Sequence, residues 1–507
     1  MGSFNMIKIF DRIEKEQKNF WNGCVFHPTD AVEDPWGKRI LDQMSEDGAI
    51  KIVRIYTMFE DIVYMDGNGK LQYDFRLSDL RLDYLLGKGY NLLLSYGGMP
   101  DCIAANCNNK KSNSKNKTRY KGKLWNSAPP KEYGLWEEIC YEYTKHNVER
   151  YGLDVVSKWY CQCFNEADIS CFFMSEYPDG YENDLMRCEA YCKMYAAFEK
   201  AVRNVSNLIR IGGPALAVKN HFLGGFLDFV KGKKLKLDFI SIHHYGTEPH
   251  LLNNGSRPYN VMNNLEMHES RMQVIREHGF GQIPIIIDEW GMASCGFYNR
   301  EECPALIARE TEIMSAYFVQ LIYQYIHLGY NVENMMICLS GQHEMTEDFS
   351  GFRNFFTLNF IKKPIYNAYI LASKLQKNIL KVATEEENFY VLPTKNEQGE
   401  YAILLSYSSK TFTENIPVIY EEITFEEDIK GSVVQAWCID KENTNPYRFY
   451  EKLGVSKPNE EQVQLLREEG NLKRVLVQDG GEKIRLKFMP NCTYLITVTK
   501  EKNFDSI

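Results

Sequence analysis

Eight short apolar runs, each followed by a stretch with helical spacing, constrain the fold of this chain more than any other feature. Their β-branched and aromatic residues are typical of strands buried in a parallel sheet. The runs occur at residues 20–26, 51–57, 90–96, 159–166, 207–213, 237–245, 283–290 and 334–340. The helical stretches include 36–44, 78–87, 133–151, 184–205, 258–278 and 303–328.

This alternation predicts an α/β protein of the (β/α)8, or TIM-barrel, class. It covers roughly 350 residues, which is long for such a barrel but within its range when insertions are allowed. A doubly wound open sheet is the structural alternative. That fold favours a Gly-rich nucleotide loop, and the sequence contains neither G-x-G-x-x-G nor a Walker sequence.

The pattern changes near residue 380, where helical spacing gives way to short alternating runs separated by turn signals. We therefore predict a barrel domain over 20–379 and an accessory β-sandwich domain over 380–507. The predicted sandwich strands are 389–392, 401–406, 433–439, 473–477, 483–488 and 493–498.

Composition limits the classes of binding partner and the cellular compartment that we expect for this chain. A net charge of −9 argues against nucleic acid and anionic membranes as partners. No window approaches the ~18 consecutive apolar residues of a membrane helix, and the N-terminus has no apolar leader region. The 14 cysteines are scattered through predicted strands and helices without zinc-site spacing, as is typical of reduced core thiols. We expect a cytoplasmic protein without metal or cofactor, and a homo-oligomer is compatible with the sequence.

A basic segment at 106–123 interrupts the third strand–helix unit with almost no apolar residues. A solvated surface loop is the favoured interpretation of such a charge run. A rim element over the active face, which would favour acidic substrates, is the alternative.

Two of the eight runs end in a glutamate. Asn165-Glu166 closes the fourth run and Glu289 lies near the end of the seventh. The carboxyl ends of parallel barrel strands share one rim, so both carboxyl groups would face one substrate. Cleavage of a glycosidic bond needs one carboxyl group to protonate the leaving oxygen and another to attack or activate water. We predict Glu166 as acid/base, Glu289 as nucleophile and Asn165 beside the sugar 2-hydroxyl.

Several segments together resemble glycoside hydrolase family 39 of clan A, which contains β-xylosidases and α-L-iduronidases. Trp159 and Asn165-Glu166 are similar to the family's strand ending in Trp-Asn-Glu-Pro, and residues 288–290 resemble its nucleophile motif. Further similar segments are 211–214, 238–245, 363–369, 439–446 and 453–454. The resemblance implies that the N-terminal segment 1–19 pairs with the sandwich domain.

The resemblance also assigns substrate-binding positions. It implies that Arg54 lies near the nucleophile and that His243 and Tyr245 line the subsite of the cleaved sugar. Trp290 would be a stacking surface or pocket wall. Plain core positions are the alternatives for His243 and Trp290.

The chain departs from the family at the walls that contact the sugar. Arg54-Ile55-Tyr56-Thr57 stands where the β-xylosidases have Arg-Phe-His-Gly, and Ala167 replaces a proline. Residues 340–344 keep only Glu344 of the Asp-x-Phe-Glu-Glu segment that holds the far hydroxyls of the sugar. Cleavage chemistry therefore transfers from the family, and xylose specificity does not.

The sequence thus predicts a retaining exo-glycosidase acting on plant-type oligosaccharides or glycosides, most simply a β-D-xylosidase. Arabino-, galacto- and uronic-acid-configured glycosides remain alternatives, as does a carbohydrate-binding barrel without turnover. An aldolase or metal-dependent hydrolase would need a Schiff-base lysine or clustered His/Asp ligands at the strand tips, and neither is present.

Overall fold

The computed structural model describes residues 6–27, 31–108, 110–111, 125–295, 298–340, 345, 347–412 and 415–500, without the side chains of 110 and 111. Glu344 and most of the basic segment 106–123 lie outside these residues.

Eight parallel strands of the described chain close into a barrel, so the predicted TIM-barrel class is confirmed. Closure occurs where Cys24 pairs with Ile337, between the first and the last strand. Each strand overlaps the run predicted for it. Barrel strands 1 to 8 are Gly23–Val25, Ile52–Tyr56, Asn91–Tyr96, Tyr160–Cys163, Arg210–Leu216, Phe239–Thr247, Ile285–Ala293 and Val332–Cys338.

The helices surround the barrel and begin where local chemistry caps them. Asn260 accepts from the backbone N–H of Met262, which starts a helix predicted to begin at 258. The predicted helix 303–328 is divided, because Thr311 is extended and caps a new helix at Glu312. The longer helices of the barrel domain are Pro35–Asp47, Arg76–Gly87, Tyr133–Tyr151, Tyr181–Val205, Asn220–Lys233, Val261–Glu277, Glu312–Leu328 and Pro364–Ala372. The shorter ones are Phe59–Asp61, Leu153–Val156, Pro249–Asn253 and Pro304–Glu310.

The barrel interior is packed beneath its carboxyl-terminal mouth, as expected for this fold. Inward side chains from alternate positions form a small apolar cluster that includes Val25, Ile52, Leu93, Phe239 and Ile286. A much larger apolar core lies between the strands and the helices. Polar interior groups are therefore concentrated at the mouth, where the strand-tip glutamates lie.

The accessory domain is a curled sheet, which confirms the predicted second β domain. Within the described residues it has nine strands, three more than predicted. Met6–Glu16 pairs antiparallel with Asn378–Ala383 and parallel with Ile419–Phe425. The sheet order is Lys473–Asp479, Val433–Ile439, Cys492–Thr499, Tyr401–Tyr407, Phe389–Lys395, Asn378–Ala383, Met6–Glu16, Ile419–Phe425 and Ile484–Phe488. Helices Pro446–Leu453 and Glu460–Glu469 precede the edge strand at 473.

The helix Glu312–Leu328 joins the barrel to the accessory sheet. Gln320 donates to the Ser408 hydroxyl at 3.2 Å, and the fully buried Glu312 pairs with Arg448 at 3.0 Å. None of the helices in the described ranges is long and apolar enough to span a bilayer.

Replacing Lys363 with methionine should strongly destabilise the fold. Its ammonium lies 2.7 Å from the Glu310 carboxylate, and both side chains are 1% exposed. Losing the cation leaves a buried carboxylate unpaired, which costs about 3–5 kcal/mol in free energy of unfolding. Urea unfolding would measure the loss. Lys193→Met, which breaks an exposed pair with Glu189, is the control and should change little; equal effects would contradict the argument.

Stability should fall below about pH 6.5 because two neighbouring histidines are buried as neutral rings. Burial, followed by the charge of Arg271, lowers the pKa of His268 to about 3 and that of His244 well below its usual value. As the pH falls, the unfolded chain protonates these histidines and the native state does not. Each histidine therefore lowers the free energy of unfolding by about 1.4 kcal/mol per pH unit. Urea unfolding between pH 7 and about pH 5 measures this slope.

The His268→Phe variant should show a shallower loss of stability toward acid pH than the wild type. His250 is exposed, and His250→Phe should keep the wild-type slope. Parallel slopes for the wild type and His268→Phe would show that His268 is not neutral in the native state.

Candidate active site

The two predicted catalytic glutamates meet at the carboxyl-terminal mouth of the barrel. Glu166 follows barrel strand 4 and Glu289 lies in barrel strand 7, and they are 9% and 7% exposed. One carboxylate oxygen of each lies with the Nδ1 atom of His243 in a group whose members are all within 4.8 Å of one another.

A β-bulge in barrel strand 7 brings two consecutive carboxylates into the barrel. Ile242 pairs with Ile287, but His243 pairs with Glu289, so Asp288 is an extra residue in the ladder. In a regular strand Asp288 and Glu289 would face opposite sides of the sheet. Both therefore enter one site, where the fully buried Asp288 accepts from the Gln162 amide at 3.0 Å.

Glu289 is surrounded by hydrogen-bond donors. Arg54 Nη1 donates to Oε1 at 2.7 Å, and the Tyr245 hydroxyl donates to Oε2 at 2.6 Å. Burial alone would raise the pKa of this carboxyl group, but the charges of His243 and Arg54 and the Tyr245 hydrogen bond outweigh it. The pKa of Glu289 is held well below its usual range, so the carboxylate is ionised at neutral pH.

Glu166 is perturbed in the opposite direction. Burial raises its pKa, the charge and hydrogen bond of His243 oppose this in part, and the charge of Glu289 adds to the rise. His243 Nδ1 lies 2.6 Å from Glu166 Oε1. Two neighbouring carboxyl groups thus differ in proton affinity, as required of an acid and a nucleophile.

His243 links Glu166 to the buried Asp288. Its Nε2 lies 3.5 Å from Asp288 Oδ2, on the side of the ring opposite Glu166. Burial disfavours the charged ring, but the charges of Glu289, Asp288 and Glu166 outweigh it and raise the pKa of His243 to about 10. His243 is therefore an imidazolium at neutral pH, with a hydrogen available for each side.

The backbone around Asn165 is strained. Phe164 and Glu166 have φ values of 59° and 48°, in the left-handed region that bulky residues avoid. Ser95 Oγ donates to the Phe164 carbonyl at 2.9 Å, and the Glu166 N–H donates to the Ala215 carbonyl at 3.1 Å. These bonds fix a kink that turns Asn165 toward Arg54, whose Nη2 donates to its Oδ1 at 2.5 Å.

Most of the predicted site residues lie in this cluster, but not all. Arg54, Asn165, His243 and Tyr245 contact one or both glutamates or each other. Trp290 is fully buried, stacks on Phe318 at 5.8 Å and donates to the Tyr369 hydroxyl, so its indole lies in the core away from the carboxyl groups. Glu344 lies outside the described residues.

Several contacting residues were not among the predicted site residues. Asp288 adjoins Glu289 and lies on the inward face that Ile286 occupies by alternation, so the strand pattern held a signal for it. Arg353 donates to the Tyr245 hydroxyl at 2.7 Å from a segment without a strand pattern. Tyr56 had a signal, since it replaces a family histidine, and its hydroxyl lies 3.3 Å from Glu289 Oε1.

One group of potential metal ligands is found among the described residues: Glu166, His243 and Glu289. Its lone pairs are already engaged, because the His243 ring faces two carboxylates and Glu289 accepts from Arg54 and Tyr245. The Arg54 guanidinium, 2.7 Å from Glu289, would repel a cation. The donor set is better suited to an anionic nucleophile than to a metal ion.

Comparison with known proteins finds relatives of this architecture. A β-xylosidase of Caldicellulosiruptor saccharolyticus is 25% identical over 94% of this chain and 95% of its own length. An α-L-iduronidase of Canis lupus familiaris is 26% identical over 30% of this chain and 23% of its own. The crystal structure of a monomeric β-xylosidase from Caulobacter crescentus CB15 superposes with a TM-score of 0.80 at 18% identity, covering 98% and 99% of the two chains.

The family relation rests on nearly the whole chain. The model of Glycosyl hydrolases family 39 matches residues 6–475, which include the barrel, both glutamates and most of the accessory sheet. The chain therefore belongs to glycosyl hydrolases family 39 and is a glycoside hydrolase.

Proposed function

We propose that this protein is a retaining exo-glycosidase in which Glu289 is the nucleophile and Glu166 the acid/base. The observation that carries the proposal is the pair of buried carboxyl groups with opposite pKa shifts at one barrel mouth. Both groups and their donors are in place, which favours turnover over simple carbohydrate binding.

The separation of the carboxyl groups supports retention. Oxygens of Glu166 and Glu289 lie within 4.8 Å of each other. Retaining glycosidases place these groups about 5–5.5 Å apart, whereas inverting enzymes leave about 6.5–9.5 Å for a water molecule. An oxygen–oxygen distance below 4.8 Å falls on the retaining side of these ranges, which supports the double displacement.

In the first step, Glu289 attacks the anomeric carbon as the glycosidic bond breaks. The proton of Glu166 passes to the leaving oxygen, and a glycosyl ester forms on Glu289. Because His243 Nδ1 faces Glu166 Oε1, the other carboxyl oxygen is the one that presents the acid proton. In the second step, Glu166 takes a proton from water, which attacks the anomeric carbon and releases Glu289 as a carboxylate.

The surrounding residues hold both groups in this state. Arg54 orients Glu289 and engages the Asn165 carbonyl oxygen, which leaves the Asn165 amide nitrogen for the sugar 2-hydroxyl. Asp288 keeps His243 charged, and His243 restricts the rotation of Glu166. Tyr245 donates to Glu289 and accepts from Arg353, which orients its hydroxyl.

For the sugar, we propose a β-D-xyloside of a plant-type oligosaccharide or glycoside. The support is the named activity of the Caldicellulosiruptor saccharolyticus relative, which aligns with almost the full length of this chain. We also propose a cytoplasmic location, supported by the cysteines, all 14 of which lie in the described ranges as free thiols.

A panel of nitrophenyl glycosides, α and β, pentose through uronic acid, tests the activity. We expect release from the β-xyloside and a loss of more than about 10^4-fold in Glu289→Ala. Glu166→Ala should lose about 10²–10⁴-fold in kcat/KM on glycosides with poor leaving groups but little in kcat/KM on activated aryl glycosides. On the activated glycosides the glycosyl ester should hydrolyse slowly without its base, and added azide should give a β-glycosyl azide.

Glu333→Gln is the matched control, since Glu333 is a barrel carboxylate that contacts Tyr160 and Arg210 instead of the site. It should keep wild-type activity. The proposed function would be refuted if no glycoside of the panel were hydrolysed, or if the Glu289→Ala variant retained turnover.

Retention is tested separately by proton NMR during turnover of the best β-glycoside. The first sugar released should be the β-anomer, because two inversions at the anomeric carbon restore its configuration. The α-anomer as the initial product would contradict the double displacement and leave only the hydrolase assignment standing.

A further inference from the structure

Each carboxylate oxygen of Glu289 faces a tyrosine that is itself contacted by an arginine. At Oε2, the Tyr245 hydroxyl lies at 2.6 Å and accepts from Arg353 Nη1 at 2.7 Å. At Oε1, the Tyr56 hydroxyl lies at 3.3 Å and accepts from Arg54 Nη1 at 3.4 Å. The second arrangement repeats the first with longer contacts.

An arginine that donates to the phenol oxygen orients the hydrogen of the hydroxyl group. A tyrosine hydroxyl has one hydrogen, and when its oxygen accepts from a guanidinium, that hydrogen is directed toward the remaining acceptor. The guanidinium also polarises the O–H bond and strengthens the donated hydrogen bond. For Tyr56 the remaining acceptor is Glu289 Oε1.

We propose that Tyr56 is a positioning residue of this chain that stabilises the Glu289 carboxylate each time the carboxylate is released. The inference rests on the proposed role of Glu289 as nucleophile. The resemblance to the family implies a histidine at this position in the β-xylosidases, whereas this chain has Tyr56.

The two chemical steps should depend on Tyr56 differently. Attack by Glu289 consumes the negative charge that the hydroxyl stabilises, whereas hydrolysis of the glycosyl ester regenerates it. A donor to this oxygen therefore assists the second step more than the first. Removing the hydroxyl should make release of the sugar from Glu289 rate-limiting.

The hydroxyl also affects the proton affinity of Glu289. Activity requires this carboxyl group to be ionised, so activity is lost as pH falls through its pKa. Losing a donor raises that pKa and moves the acid limb of the kcat/KM profile to higher pH.

Several titratable and charged groups face Glu289 and contribute to its pKa. They are Arg54 and Tyr56 of barrel strand 2, Glu166 after strand 4, His243 and Tyr245 of strand 6, Asp288 of its own strand, Cys338 of strand 8 and Arg353.

The test compares Tyr56→Phe with the wild type on the dinitrophenyl glycoside of the sugar selected by the panel. We expect the acid limb of kcat/KM to rise by about one pH unit, which corresponds to about a tenfold change in proton affinity. We expect kcat to fall about tenfold, KM to fall with it and a burst of dinitrophenolate to appear. Tyr245→Phe should shift the acid limb further, because its hydrogen bond is shorter.

Tyr96→Phe is the matched control, since Tyr96 is a barrel-strand tyrosine whose hydroxyl contacts Thr144 at 2.9 Å. Its acid limb and burst should equal those of the wild type, and equal urea midpoints would establish that Tyr56→Phe is folded.

Three outcomes separate the inference from its premise. An unshifted acid limb without a burst in Tyr56→Phe, with Glu289→Ala inactive, overturns the inference alone. A uniform loss of kcat/KM at every pH, with no shift of the limb, also overturns it, because a purely structural role would produce that loss. An active Glu289→Ala refutes the proposed function itself.

Discussion

The site depends on the burial of one guanidinium. Arg54 is fully buried and contacts Asp288, Glu289, Asn165 and Tyr56. A buried arginine requires anionic partners, and two buried carboxylates require a cation. Each charge therefore offsets the cost of removing the others from water. Together they keep the Glu289 carboxylate charged although it is buried.

The same interaction explains why the two glutamates differ in proton affinity. Arg54 contacts Glu289, whereas the cation that contacts Glu166 is His243. His243 also interacts with Asp288. The cation in direct contact with Glu166, His243, is already engaged by Asp288, and burial dominates the proton affinity of Glu166. Two similar side chains at the same rim acquire opposite pKa shifts because the Arg54 guanidinium contacts only one of them.

The sequence predicted the elements better than their local distortions. The eight barrel strands and the positions of Glu166 and Glu289 follow from periodicity, because buried parallel strands are apolar runs and their tips share a rim. Alternation from the inward Ile286 places Asp288 inward but Glu289 on the opposite face, so the inward direction of Glu289 depends on a bulge that periodicity does not show. Arg353 reaches the site from an irregular segment. Trp290 is a residue type that can stack on a sugar, but its burial depends on the helices that cover it.

The accessory sheet closes a loop in the chain. Its strand Met6–Glu16 is made before the barrel, whereas its neighbours Asn378–Ala383 and Ile419–Phe425 are made after it. During synthesis on the ribosome, the first strand must therefore wait unpaired until the whole barrel has emerged. Once the sheet assembles, it fastens the chain on both sides of the barrel, so the barrel cannot unravel from either side without breaking strand pairs. Cotranslational folding order and resistance to unfolding are thus coupled through one strand.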